Sequence, residues 1–112
     1  LIKMKIENTK AQMRKGGLEF CILSILVNGD AYASDIIATL KEGKMIVVEG
    51  TLYPLLTRLK NAGLLAYRWE ESKSGPPRKY YSLTPTGASF LKELDTTWNE
   101  LVKAVEVTTS KK

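Results

Sequence analysis

The chain has 112 residues, of which 44% are hydrophobic and 26% are charged, proportions typical of a single folded domain. It contains no histidine and a single cysteine, so it lacks the usual general base, the commonest zinc ligand and any internal disulfide. It also has no glycine-rich phosphate loop and no carboxylate pair in an apolar pattern. We therefore expect neither an enzyme nor a bound cofactor or metal.

The net charge of +5 is unevenly distributed along the chain. Residues 1–90 carry 13 basic and 8 acidic side chains, whereas residues 91–112 carry four of each. A basic body followed by a neutral C-terminal segment favours a nucleic-acid-binding domain with a separate association element. A basic surface that only aids solubility is the alternative.

The longest apolar run, FCILSILV, is shorter than the ~20 residues that a membrane span requires. It follows a basic stretch, as the apolar part of a signal peptide would, but no small-residue cleavage site follows it. We therefore expect a cytoplasmic protein that does not bind a membrane. Cys21 lies inside this run, which favours a small core residue over a nucleophile.

Three helices are predicted in the first half of the chain. The basic N-terminal stretch is expected to begin as a frayed helix that becomes regular from Leu18. The apolar positions with helical spacing are, for the first helix, Leu18, Cys21, Ile22, Ile25 and Leu26; for the second, Ala33, Ile36, Ile37 and Leu40; for the third, Leu52, Leu55, Leu56 and Leu59. Asn28-Gly29, Gly43 and Gly63 are the predicted stops, and Asp30 is the predicted N-cap of the second helix.

The remaining segments predict strands and one long helix. KMIVV, residues 44–48, is short and rich in β-branched residues, and LLAYRWEE and KYYSL alternate, so each favours a strand. Between the last two, SKSGPPR is predicted to be a hairpin loop longer than a tight turn. Thr84 and Pro85 mark a helix start, with Thr84 as N-cap, and this helix runs to about Val107 before a polar tail.

The order helix, helix, short strand, helix, strand, loop, strand, long helix is typical of one fold class. It is a mainly α (α+β) winged helix-turn-helix with an appended C-terminal dimerisation helix. We expect residues 1–84 to form the DNA-binding domain with its basic N-terminal helix, residues 85–108 to form the dimerisation helix, and residues 109–112 to form a tail. All of these would belong to one compact unit.

Two groups of residues are candidates for binding double-stranded DNA. Prolines 76 and 77 stiffen the hairpin loop, whose cations suit phosphate or minor-groove contacts. The third helix presents hydroxyls, a ring and a guanidinium on the face opposite its leucines, as a recognition helix would. The candidates are Lys73, Arg78 and Lys79 in the hairpin and Thr51, Tyr53, Pro54, Thr57 and Arg58 in the helix. Two alternatives stay open: Tyr53 packs into the core, or Arg58 pairs with a surface acid.

The last helix carries an apolar seam that predicts a homodimer. The seam residues, spaced 3, 4, 3 and 4 apart, are Leu91, Leu94, Trp98, Leu101 and Val105. So small a monomer cannot bury all of them, so part of the seam should face another subunit. Phe20 and Leu23 of the first helix could supply the opposing surface. Packing of the helix back onto its own domain would give the same spacing.

Three segments together resemble the PadR-like transcriptional regulators: KGGLEFCILSILVNGDAYASDI, EGTLYPLLTRLKNAGLL and SGPPRKYYSLTPTG. The resemblance covers roughly residues 14–105 and implies a dimeric bacterial repressor with a winged helix-turn-helix. The single C-terminal helix is similar to that of a small branch that includes a multidrug-responsive regulator. In that branch a tryptophan of the last helix lines a pore between subunits and stacks on flat molecules, and Trp98 matches its position.

Two positions depart from the family pattern. Pro76 stands where the family often has an arginine, and Val102 stands where an acid would attract a cationic ligand. The candidate binding residues for a planar aromatic ligand are Trp98, Val102 and Phe20. Because Val102 carries no charge, we expect a neutral ligand to bind there at least as well as a cationic one.

These observations predict a homodimeric, sequence-specific DNA-binding repressor. The alternative within this fold is an aromatic-ligand or drug-responsive sensor whose ligand matters more than its DNA. The same fold could also serve as a protein-interaction module without DNA binding or as a nonspecific architectural DNA binder. The three hairpin cations favour DNA over a protein partner.

Overall fold

Four helices and a three-stranded antiparallel sheet make up residues 5–110, the part of the chain that the computed structural model describes. In chain order they are α1 (Ile6–Val27), β1 (Ala31–Tyr32), α2 (Ala33–Glu42), α3 (Glu49–Asn61), β2 (Leu65–Ser72), β3 (Gly75–Leu83) and α4 (Pro85–Ser110). The strand order is β1-β3-β2. The hairpin formed by β2 and β3 is called the wing below. This arrangement confirms the predicted winged helix-turn-helix with an added C-terminal helix.

The core lies where the apolar faces of α1, α2 and α3 meet the sheet. The largest fully buried side chains are Ile22, Leu23, Ile36, Leu52, Leu56 and Leu59. The predicted stripes of α2 and α3 are thereby confirmed, with Ile37 and Leu55 half-buried at their edges. Leu23 was predicted to face a partner, and that prediction is wrong. Because α2, α4 and β3 all contact α1, more of the helix is buried than one stripe.

The first helix is longer than its apolar pattern indicates. It begins at Ile6 rather than fraying up to Leu18, and it continues through Gly16 and Gly17. Residues between 6 and 16 are mostly exposed, so no apolar period could reveal them. Lysine, glutamate, glutamine, alanine and methionine in this stretch are good helix formers, which offsets the two glycines. Residues 1–4 of the basic segment lie outside the described residues.

The N-cap of α2 is Tyr32, not Asp30. Tyr32 has extended backbone angles, and its N–H donates to the Oδ2 atom of Asp35, 3.0 Å away. The reason is that Ala31 and Tyr32 form a short strand that pairs with β3, so the helix starts later. Asp30 is consequently free to form an ion pair with Arg68 of β2, at 3.0 Å.

Residues 44–48 do not form the predicted strand. Lys44 has a φ of 66°, a left-handed conformation that turns the chain out of α2. Met45 and Val47 then pack partly against the core while Ile46 and Val48 are exposed. The alternation in burial is real, but β1 rather than this segment pairs with the free side of β3.

The wing closes in a tight turn rather than the longer loop that was predicted. Ser72 pairs with Gly75, which leaves only residues 73 and 74 in the turn. The register shifts between Glu70 and Ser72, so that Pro76 and Pro77 lie opposite Glu71. Proline has no N–H for a strand ladder, and an irregular position of this kind tolerates it.

The start of α4 is fixed by close backbone contacts. Thr84 is the N-cap, as predicted: its Oγ1 accepts the N–H of Gly87 at 2.9 Å. The same hydroxyl lies 2.7 Å from the carbonyl oxygen of Gly63, to which it donates. A Cβ atom on Gly87 would lie 2.1 Å from the carbonyl oxygen of Leu64, so only glycine fits there. These contacts join α4 to the connection between α3 and β2.

Both long helices extend well beyond the core. The radius of gyration is 16.4 Å, whereas a compact domain of this length would have about 13 Å. The first turns of α1 and all of α4 after Leu94 are largely exposed. Of the predicted tail, residues 109 and 110 continue α4, and residues 111 and 112 lie outside the described residues. Within residues 5–110, no helix combines the length and apolarity needed to cross a membrane.

Candidate nucleic-acid interface

The outer face of α3 carries the predicted contact residues. All five of Thr51, Tyr53, Pro54, Thr57 and Arg58 are exposed. Tyr53 is 44% exposed, so the alternative that it belongs to the core is wrong. Pro54 lies in the second turn of α3. Because proline has no N–H, the carbonyl of Gly50 lacks its usual helical donor.

Arg58 forms an ion pair with Glu19 of α1. Its side chain is 62% exposed and that of Glu19 is 24% exposed, so the pair lies at the surface between α3 and α1. This is the alternative that the sequence left open for Arg58. A nucleic acid that binds the Arg58 guanidinium must therefore compete with the Glu19 carboxylate.

A cleft of about 350 Å³ lies between α3, the start of α2 and the wing. It is lined by Tyr32, Ala33, Ser34, Glu49, Tyr53, Trp69, Pro77, Arg78, Lys79 and Tyr81. The cleft brings the predicted helix residue Tyr53 together with the predicted wing cations Arg78 and Lys79. Lys73 lies apart from it, exposed in the turn at the tip of the wing. Thr51, Thr57 and Arg58 also lie outside its lining.

Arg78 is held by two residues that the sequence did not single out. Its guanidinium lies over the ring of Tyr32, with the Cζ atom 4.1 Å from the ring centroid. Its Nη2 atom donates to the Oγ of Ser34, 2.5 Å away. Tyr32 and Ser34 lie at the start of α2, and Ser34 precedes Arg78 by 44 residues. No local sequence pattern could therefore link them to the wing.

Lys79 projects from the other face of the sheet, toward α3. It pairs across the strands with Trp69, and its Nζ atom lies 4.5 Å from the Tyr67 ring centroid and 5.6 Å from that of Trp69. Trp69 is 61% exposed, an unusual position for so large an apolar ring. Arg78 and Lys79, neighbours in β3, thus lie on opposite faces of the wing.

Arg68 occupies the outer face of the sheet beside Tyr80. Its Nη1 atom lies 3.0 Å from Oδ2 of Asp30, and its Nε atom lies 3.2 Å from Oε1 of Glu70. The hydrogen bond to Asp30 is the main reason that the pKa of Arg68 is raised above its ordinary value. The guanidinium also lies over the ring of Tyr80, at 4.6 Å, and Tyr80 in turn lies 4.6 Å from Tyr32.

The apolar seam of α4 divides into two parts. Leu91 and Leu94 are half-buried and pack against the core of their own chain, so they do not form a free surface. Trp98, Leu101 and Val105 are 42%, 53% and 51% exposed, as is Val102 beside them at 38%. The first part of the seam therefore packs onto its own domain, which the sequence left open, and the interface role of Leu91 and Leu94 stays a prediction.

Trp98 packs against α1 of its own chain. Its ring centroid lies 6.0 Å from that of Phe20, with 32° between the ring planes. A Cβ atom on Gly17 would lie 3.9 Å from the indole, at ordinary van der Waals distance, so the indole also lies close to this part of α1. A furrow of about 270 Å³, lined by Phe20, Ser24, Leu91, Lys92 and Asp95, lies alongside. The structure thus packs Trp98 on Phe20 within one chain, the alternative that the sequence left open, and places a carboxylate and an ammonium group nearby.

The fold and the wing define a winged helix-turn-helix regulator, and comparison with known proteins agrees. The Transcriptional regulator PadR-like family model matches residues 22–93, more than half of the chain. The chain belongs to the PadR-like family of transcriptional regulators. A transcriptional regulator is also what the sequence predicted.

Three solved structures show how close the similarity is. A PadR-like transcription factor from Bacteroides fragilis is 62% identical, with a TM-score of 0.77 over 90% of this chain and 98% of that one. A PadR family regulator from Eggerthella lenta is 32% identical, with a TM-score of 0.87 over 96% and 94%. A PadR-like regulator from Bacillus cereus is 34% identical, with a TM-score of 0.78 over 90% and 99%.

Proposed function

We propose that this regulator is a homodimeric repressor that binds specific sequences of double-stranded DNA. The observation that carries the proposal is the cleft in which Tyr53 of α3 faces Arg78 and Lys79 of the wing. In a winged helix-turn-helix, the recognition helix enters the major groove while flanking groups bind the phosphates. The cleft is where a DNA strand would pass between these two elements.

The charges around the cleft support this assignment. Among the described residues, neither Arg78 nor Lys79 forms an ion pair, so both cations are available to phosphates. Both are also held by aromatic rings, which lowers the conformational entropy that binding would cost. Glu49 also lines the cleft, where its carboxylate repels phosphate and favours a path closer to the wing.

Sequence reading is assigned to the exposed face of α3. Thr51 and Thr57 present exposed hydroxyls that can donate to or accept from base edges. Arg58 is different, because its guanidinium is paired with Glu19 in the free protein. Arg58 would contribute to DNA recognition only where its guanidinium binds the DNA more strongly than it binds the Glu19 carboxylate.

The homodimer is supported by the exposed part of the α4 seam. Trp98, Leu101, Val102 and Val105 form an apolar strip on a helix that projects from the core. Monomeric proteins rarely leave such a strip in water, and a second copy of the same helix is self-complementary to it. A twofold dimer would place two recognition helices on half-sites about one helical turn, ~34 Å, apart. Occupancy of both half-sites would block access to a promoter.

Arg78→Ala is expected to weaken DNA binding at every sequence. The variant loses one phosphate contact per subunit, so the plot of log affinity against log salt should become shallower by about one unit per subunit. The measurement is fluorescence anisotropy of a labelled duplex at several salt concentrations. Lys41→Ala, which removes an equal charge at the opposite end of α2 from the cleft, is the control and should keep the slope. An unchanged slope for Arg78→Ala would remove this residue from the interface.

A second function, sensing of a planar aromatic molecule, is favoured by the Phe20–Trp98 pair, whose tryptophan is 42% exposed. Two such pairs facing each other near the axis of a dimer would leave indole faces for a flat ligand to stack on, a contact worth about 0.5–1.5 kcal/mol per ring. Direct contact between the two indoles would fill the gap instead. Val102 carries no charge, and Lys92 and Asp95 of the furrow offset each other. Neutral ligands should therefore bind at least as well as cationic ones.

The sensor hypothesis predicts that Trp98→Phe loses affinity for planar dyes while Trp69→Phe keeps it. Each variant loses one indole. Only the indole of Trp98, on α4, lies beside Phe20 of α1. Quenching of tryptophan fluorescence by neutral and cationic dyes measures the effect, with sedimentation to show that the dimer persists. Equal quenching of wild type and Trp98→Phe would eliminate this pocket.

A further inference from the structure

Glu70 and Arg78 lie directly opposite each other on the two strands of the wing, yet their side chains do not form an ion pair. The register places Glu70 of β2 opposite Arg78 of β3, an arrangement in which opposite charges usually attract. Instead, Oε1 of Glu70 accepts a hydrogen bond from Nε of Arg68, 3.2 Å away. Arg78 instead donates a hydrogen bond to Ser34 and lies over the ring of Tyr32. A competing interaction therefore keeps the Glu70 carboxylate away from Arg78, a cation of the proposed DNA interface.

Arg68 is the residue that holds this acid. It lies two residues before Glu70, on the same face of β2, and it is fixed on three sides: by Asp30, by Glu70 and by the ring of Tyr80. One guanidinium shared between two carboxylates has no excess positive charge to offer a phosphate. Arg68 is thus poorly suited to bind DNA directly, although it is 55% exposed and lies close to the wing cations.

We propose that Arg68 is a positioning residue that keeps Arg78 available to DNA phosphate by holding the carboxylate of Glu70. Without Arg68, the Glu70 side chain is released beside its cross-strand partner, and an Arg78–Glu70 ion pair forms. A phosphate would then have to displace a carboxylate from Arg78. The inference rests on the proposed function, since it assumes that Arg78 contacts DNA.

The first test is the single variant Arg68→Gln. Its affinity for duplex DNA should fall about tenfold at low salt, as expected for loss of a charged hydrogen bond. Its salt slope should become shallower by about one unit per subunit, matching Arg78→Ala. Arg68 is a surface residue, and the melting temperature reports directly on whether the fold is retained.

The second test separates this mechanism from two simpler ones. Arg68→Gln/Glu70→Gln removes the competing acid and should restore the wild-type slope. Arg68→Gln/Glu71→Gln has the same net charge but leaves Glu70 in place, so it should stay weak. If Arg68 bound a phosphate itself, the Glu70 change would not restore the slope. If only long-range charge mattered, both double variants would recover equally. Either result would overturn the proposal.

The third test uses the Arg78→Ala background. There, Arg68→Gln should have no further effect on affinity, because the group that it protects is gone. An additional loss of similar size would show that Arg68 acts independently of Arg78 and would refute the inference alone. If Arg78→Ala itself bound DNA like wild type, the proposed contact would fail as well. The two failures are thereby distinguishable.

Discussion

Leu101→Lys combined with Val105→Lys is expected to convert the protein into a folded monomer. Both side chains are about half exposed in the single chain, so lysine is tolerated there before assembly. In a dimer the four new ammonium groups would be buried against apolar surface without partners, at a cost of several kcal/mol. Since each monomer can occupy only one half-site, affinity for a two-half-site operator should fall at least a hundredfold.

The choice of residues follows from the packing of α4. Leu94 belongs to the same seam but packs against its own core, so lysine there would confuse unfolding with dissociation. Thr96→Lys with Val107→Lys is the matched control: it adds the same charge to exposed positions on the opposite side of the helix. Sedimentation velocity should show monomers for the first variant and dimers for the control. A dimer in both would place the interface elsewhere.

Gly87→Ala is expected to cost about 3 kcal/mol or more of the free energy of unfolding, a large part of the stability of a domain this size. The new Cβ would lie 2.1 Å from the carbonyl oxygen of Leu64 and 2.8 Å from Cδ1 of Leu83. The carbonyl cannot simply move, because it accepts the N–H of Thr84 at 3.1 Å. Relief of the overlap would shift the start of α4 away from the core.

Gly16→Ala provides the control for this prediction. It is the same change inside α1, where a Cβ would meet no atom within 4 Å, so it should stabilise the protein by about 0.5–1 kcal/mol. Urea unfolding followed by circular dichroism compares the two variants. Opposite signs are expected, and a Gly87→Ala protein as stable as wild type would contradict the close contact between α4 and Leu64.

Features set by neighbours in sequence were predictable, and they include the helices that build the core. The leucine stripe of α3 and the cap at Thr84 depend on spacing within one or two turns, so the sequence alone indicated both. The segment 44–48 was misread because strand propensity does not reveal whether a partner strand is free. Here β1, only two residues long, already pairs with that side of β3.

The candidate interface was only partly predictable, because its side chains are arranged by contacts distant in sequence. The cations of the wing were evident from composition, but the pairing of Arg58 with Glu19 spans 39 residues and that of Arg78 with Ser34 spans 44. Which of two nearby arginines keeps a free charge depends on which acids the fold brings beside it. No pattern along the chain assigns Asp30 and Glu70 to Arg68.

Competition between duplexes shows whether the protein recognises specific DNA sequences. A labelled duplex from the promoter of its own gene or an adjacent gene is bound at one fixed salt concentration, and unlabelled promoter or random duplex is then added. The promoter should compete at least ~10³-fold better than random DNA. Equal competition by both would indicate a nonspecific architectural binder. Absence of binding to any duplex would rule out a DNA-binding regulator and favour a protein-interaction module.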